Sequence, residues 1–117
     1  QNLTALTELY LYKNGLTSIP PEFGSLVNLE ILSLAGNKIN RFPEEIGALT
    51  SLKEAYLGGN PMSEVPASIG AWTEVQEVSF RGSKLKSFPD EVAAWGKCRL
   101  LDVKSGGKKD SCKVTDV

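Results

Sequence analysis

The sequence predicts an α/β solenoid: a horseshoe arc with a parallel β-sheet on its concave face and short helical or 3-10 turns on its convex face. Three observations predict it. Apolar residues recur with a period of 23 along the chain. Each copy contains a short stretch in which apolar and exposed residues alternate, the spacing of a strand. Each copy then carries a proline followed by polar residues, the pattern of a short turn.

The copies align residue by residue. The first reads Leu3, Leu6, Leu9, Leu11, Asn14, Leu16, Ile19, and the second Leu26, Leu29, Leu32, Leu34, Asn37, Ile39, Phe42. The third reads Leu49, Leu52, Ala55, Leu57, Asn60, Met62, Val65, and the fourth Trp72, Val75, Val78, Phe80, Ser83, Leu85, Phe88. A fifth begins with Trp95, Cys98, Leu101, Val103 and then fails, with Gly106, Lys108 and Ser111 at positions that call for Asn and aliphatics. Strands are expected over Leu9–Leu11, Leu32–Leu34, Ala55–Leu57, Val78–Phe80 and Leu101–Val103.

Each recurring element has a physical role. Asn14, Asn37 and Asn60 carry an amide that can satisfy backbone groups where the chain leaves the strand, and Ser83 is a shorter substitute. Pro20, Pro43, Pro66 and Pro89 fix φ at the start of a short helical turn, where a missing N–H costs nothing. Glu44, Glu45, Asp90 and Glu91 follow, as suits the positive end of that turn. One copy cannot bury its own apolar face, whereas stacked copies share a continuous core. The array is expected to occupy residues 1–103, about four and a half repeats, with residues 104–117 as a polar C-terminal cap or tail. The first copy carries a full apolar set with nothing polar ahead of it, so the expectation is an array cut from a longer one at its N-terminus.

The spacing L-x-x-L-x-x-L-x-L-x-x-N-x-L resembles the leucine-rich-repeat family over nearly the whole chain. The copies continue as Ile19-Pro20-Pro21-Glu22-Phe23-Gly24, Phe42-Pro43-Glu44-Glu45-Ile46-Gly47, Val65-Pro66-Ala67-Ser68-Ile69-Gly70 and Phe88-Pro89-Asp90-Glu91-Val92-Ala93. That continuation is similar to the 23-residue class of plant intracellular Ras-group-related proteins and their algal, animal and protist relatives. The resemblance implies a solenoid whose strands line a concave face and whose work is signalling or scaffolding through protein binding.

Outward residues of the strands then form a grid. Its rows are Glu8, Ile31, Glu54, Glu77, Leu100; Tyr10, Ser33, Tyr56, Ser79, Asp102; Tyr12, Ala35, Gly58, Arg81, Lys104; and Lys13, Gly36, Gly59, Gly82, Ser105. All three tyrosines lie on it, and tyrosine offers a rigid apolar area with a polar tip suited to interface cores. Glu8, Glu54 and Glu77 make one edge negative, while Arg81 and Lys104 make one corner positive, so a partner with a basic stripe is slightly favoured. The expected protein-binding residues are Glu8, Tyr10, Tyr12, Lys13, Glu54, Tyr56, Glu77, Arg81, Asp102 and Lys104. The competing account of these residues is that tyrosines are tolerated at exposed strand positions and the charges are merely solvated.

Other classes of function find little support. The 117 residues carry a net charge of -1 and no histidine, which removes the commonest general base and zinc ligand. No Ser, Thr or Cys has a base at a recognisable motif spacing, so no enzyme, cofactor or metal is expected. Near-neutral charge gives no case for nucleic acid, and no apolar run is long enough for membrane insertion. Trp72, Trp95 and Met62 take core positions. Cys98 does too, as a small hydrophobe, with a Cys98–Cys112 disulfide as the extracellular alternative. Asn2-Leu3-Thr4 matches a glycosylation sequon by chance at a ragged start. Gly106-Gly107-Lys108-Lys109 is not a phosphate-binding loop. Thr115-Asp116-Val117 looks like a C-terminal PDZ ligand if Val117 is the natural end. The cytoplasm is the expected compartment, with extracellular or organellar placement as alternatives. The expected partner is a protein, alongside neighbouring repeats of the same longer chain. Two other readings are a regulatory array attached to a kinase or Ras-like GTPase, and a structural subunit filling a crevice in a large assembly.

Overall fold

The computed structural model describes residues 3–96 and 100–102, with side chains for 4–92 and 94–96. Five strands, β1 (Glu8–Tyr10), β2 (Ile31–Ser33), β3 (Glu54–Tyr56), β4 (Glu77–Ser79) and β5 (Leu100–Asp102), form one sheet in chain order. Every pairing is parallel and offset by 23 residues, Glu8 beside Ile31, Glu54 and Glu77 in turn. Five 3-10 helices join them: η1 (Leu3–Ala5), η2 (Pro21–Ser25), η3 (Glu44–Ala48), η4 (Ala67–Ala71) and η5 (Asp90–Ala94). This is the horseshoe that the repeat predicts. Cys98, Cys112, Lys104, Asn2 and the segment 104–117 lie outside the described residues, as does the disulfide question.

The strands start one residue earlier than the leucine pairs suggest. Leu11, Leu34 and Leu57 lie just past the regular pairing, yet their N–H groups still donate to the next repeat, as Leu11 does to Ser33 O at 2.8 Å. The core leucines mark inward positions, while pairing is set by backbone donors, so the two boundaries need not coincide.

A second correction concerns proline. Pro20, Pro43, Pro66 and Pro89 stand at the N-cap with extended backbone, φ near -70° and ψ near 150° for Pro20, not at the first helical position. Their carbonyls accept the first turn bond, from Phe23, Ile46, Ile69 and Val92 N–H. Proline's fixed φ suits this extended entry, and its missing N–H is again no loss.

Stacking buries the inner side chains completely. Leu29, Leu32, Leu34, Ile39, Leu49, Leu52, Ala55, Met62, Trp72, Val75, Val78 and Phe80 are all at 0% exposure. In the first repeat Leu6, Leu9, Leu11 and Leu16 are only partly buried, because a single neighbouring repeat covers them. At the strand exit the backbone turns left-handed in Gly36, Gly59 and Gly82 (φ 74°, 67° and 82°), and Lys13 takes the same conformation at φ 56°. Glycine adopts it freely, whereas a lysine does so at a cost. Gly58 meets a different constraint: a Cβ there would collide with the Arg81 carbonyl.

A buried asparagine ladder ties the repeats together. Asn37 Oδ1 accepts from Asn14 N at 2.8 Å and Leu16 N at 3.0 Å, while its Nδ2 donates to Leu11 O and Leu34 O. Asn60 repeats the pattern, accepting from Ile39 N and donating to Leu34 O and Leu57 O. The amide suits this role because it offers donors and acceptors at once. Asn14 is exposed, and its amide donates to Tyr12 O on its own turn.

Candidate protein-binding face

The outward residues of the strands stand in rows because the register never slips. Glu54 pairs directly with Glu77, and Tyr10 with Ser33 and then Tyr56. Successive strands in such a sheet lie about 4.8 Å apart, so Tyr10 and Tyr56 are about 9–10 Å apart across the face.

Both of those tyrosines lean the same way. Tyr10 Oη donates to Glu8 Oε1 at 3.2 Å, and Tyr56 Oη donates to Glu54 Oε1 at 2.7 Å. Each bond joins residues two apart on one strand, the spacing that shares a sheet face. Tyr10 and Tyr12 are exposed at 52% and 58%, while Tyr56 is half-buried. Ser33 points outward between Tyr10 and Tyr56 yet is only 7% exposed, so the two larger side chains wall it in.

The electrostatics of this face are acidic. Partial burial, the bond to Glu54 and the nearby Glu77 and Glu54 charges push the Tyr56 phenol above its ordinary value of 10.0. Tyr10 is raised as well, by desolvation and by Glu8. Both hydroxyls therefore stay protonated, as donors, through the physiological range. Glu54 and Glu77 are half-buried neighbours of like charge, an arrangement that disfavours itself. Beside the face, Lys53 Nζ approaches Glu30 Oε1 at 3.6 Å, an exposed pair of small energetic value.

The remaining expected residues are less tightly grouped. Arg81 is exposed just beyond β4, with its backbone N–H at 3.4 Å from Ser79 Oγ. Lys13 belongs to the turn, and its side chain lies over Gly36. Asp102 occupies β5 beside Ser79, its side chain outside the described residues along with Lys104. The structure thus gathers Glu8, Tyr10, Glu54, Tyr56 and Glu77 into one patch, with Tyr12, Lys13 and Arg81 along its rim. The sequence grid missed Ser33 as the floor between tyrosines. It also missed the Tyr–Glu bonds, although the shared spacing of two in Glu8–Tyr10 and Glu54–Tyr56 was a legible signal.

A separate open cleft of about 420 Å³ lies on the loops between sheet and turns, lined by residues including Arg41, Phe42, Pro43, Glu64 and Pro66. None of the expected binding residues lines it. Among the described residues there is no cluster of His, Cys, Asp and Glu able to hold a metal, and no helix long and apolar enough to cross a membrane.

Comparison with known proteins agrees with this architecture. The leucine-rich-repeat family profile matches residues 4–62. A leucine-rich-repeat protein of Leptospira interrogans is 34% identical over 83% of this chain, with a TM-score of 0.80, and the match covers 25% of that protein. An internalin from Listeria monocytogenes, 23% identical, covers 92% of this chain at a TM-score of 0.76 and is itself covered to 30%; at that identity it speaks for the fold alone. The chain therefore spans a quarter to a third of each of these proteins. No curated protein sequence matches it.

Proposed function

Because this chain belongs to the leucine-rich-repeat family, whose members generally mediate protein–protein interaction, we propose that it binds a protein partner through the concave face, without catalysis. The observation that supports this reading most directly is the placement of Tyr10, Tyr12 and Tyr56. Two are more than half exposed on a rigid sheet, where a large amphipathic side chain gains little from folding and much from a partner. In this reading residues 1–103 are the repeat array and 104–117 its polar cap or tail.

Geometry limits the affinity. Five strands at about 4.8 Å give a sheet about 20 Å across, and about five outward residues per strand at about 3.3 Å give roughly 350 Å² in projection. A standard interface needs about 800 Å² from each partner. A tight complex must also engage the rims, which brings in Lys13, Arg81 and, in this proposal, Asp102 and Lys104.

The test identifies a partner by pull-down with the full-length protein and mass spectrometry, then titrates it with the Tyr10→Ala, Tyr56→Ala double variant. Binding is expected to weaken by at least about 1 kcal/mol, as for exposed aromatic anchors. Melting curves run alongside should fall only slightly, and only through half-buried Tyr56. Unchanged affinity would move the binding surface off the concave face.

A further inference from the structure

We propose that the slot between Tyr10 and Tyr56 receives a cationic side chain, best an arginine, from a basic segment of the partner protein. The inference rests on the concave-face reading and specifies the chemistry of what that face recognises.

The slot is built by register. Its walls are Tyr10 on β1 and Tyr56 on β3, and β2 between them supplies the outward-facing Ser33 as floor. Ser33 is 7% exposed, so the tyrosines shield it from water. The gap of about 9–10 Å between the two strands admits one planar group. Contact distances of about 3.5–4.0 Å on each side add to about 7–8 Å, the thickness such a sandwich requires.

One end of the slot is anionic. The tyrosine hydroxyls reach Glu8 and Glu54, and Glu77 stands directly beside Glu54 on the next strand. A guanidinium suits both parts. It stacks on aromatic faces and bonds a carboxylate with two parallel donors. It would also relieve the Glu54–Glu77 repulsion, which the free protein carries unneutralised by any printed ion pair among the described residues. Acidity alone does not distinguish this patch, since the turns carry Glu44, Glu45, Asp90 and Glu91 as well. What distinguishes it is the coincidence of carboxylates with tyrosine walls and a shielded floor. An anionic or neutral segment would leave Glu54 and Glu77 facing each other in a partly dehydrated interface, a cost that selects against it.

The probe is a soluble glycine–serine peptide carrying two arginines, titrated at low salt into the isotope-labelled 117-residue chain and followed by amide chemical shifts. Two matched peptides carry citrulline, the uncharged isostere, or glutamate in place of arginine. The arginine peptide is expected to shift the amides of Tyr10, Ser33 and Tyr56. Its affinity should fall by about 10-fold or more in the Glu54→Gln, Glu77→Gln variant, from the loss of two charge contacts, and with added salt. The Glu44→Gln, Glu45→Gln variant should bind as the parent does. Melting of the Glu54→Gln, Glu77→Gln variant should be unchanged or raised, which shows that it is folded. Citrulline or glutamate peptides that shift the same amides equally well would overturn the cationic specificity while leaving the concave face as a binding surface. Arginine-peptide shifts confined to the turns around Glu44 and Glu91 would overturn the slot, and would count against the concave-face reading as well.

Discussion

Replacing Trp72 with alanine is expected to lower the stability of the array by about 3–5 kcal/mol, the range for removing a fully buried tryptophan. Trp72 is at 0% exposure. Its indole lies nearly parallel to that of Trp95, with ring centroids 6.0 Å apart, so the loss leaves a cavity facing a second large ring. Its Nε1 also donates to Ile46 O at 3.0 Å, one repeat back. That carbonyl would lose a partner inside the core, and an unsatisfied buried acceptor costs about 1–3 kcal/mol by itself. Trp72→Phe should fall between the two, because it refills most of the volume but not the N–H bond. Urea unfolding followed by circular dichroism measures both. A loss below about 1 kcal/mol for the alanine variant would mean that the site collapses without cost, contrary to dense packing between repeats.

The second large effect is expected at the asparagine ladder. Asn37→Ala should destabilise by about 1–3 kcal/mol, because it strands the Asn14 and Leu16 N–H groups and the Leu11 and Leu34 carbonyls. Ser83→Ala should cost less. Its hydroxyl is too short to span the repeats, and its one resolved bond accepts the local Leu85 N–H at 3.3 Å. The same denaturation experiment compares them. Equal and negligible losses would show that the amides decorate the turns and do not join them.

Much of this architecture is legible in the sequence because the repeat states it four times. An error in reading one copy is corrected by the others: Ala55 and Val78 look unremarkable alone but fall in register with Leu9 and Leu32. What escapes the sequence is what the period does not encode. The strands begin at Glu8 and not Leu9 because pairing follows backbone donors. Proline caps the turn from outside because its carbonyl, not its ring, begins the helix. Lys13 reads as a grid residue, yet the three glycines of its column reveal a left-handed turn that Lys13 shares at a cost. The tyrosines of the candidate site are visible as a row, but not that Ser33 is shielded between two of them. Nor does the period show that Trp72 and Trp95, legible as core residues, need carbonyl partners one repeat away.

The most direct test of the concave-face account places a photo-crosslinking amino acid at one position per face. Tyr12, 58% exposed beside the sheet, reports on the concave side, and Glu45, on η3, reports on the convex side. Each singly labelled protein is irradiated with the partner found by pull-down, and the crosslinked peptides are sequenced. The account predicts covalent capture from position 12 and little from position 45. Efficient capture from position 45 with none from position 12 would contradict it, and would place the partner on the turns.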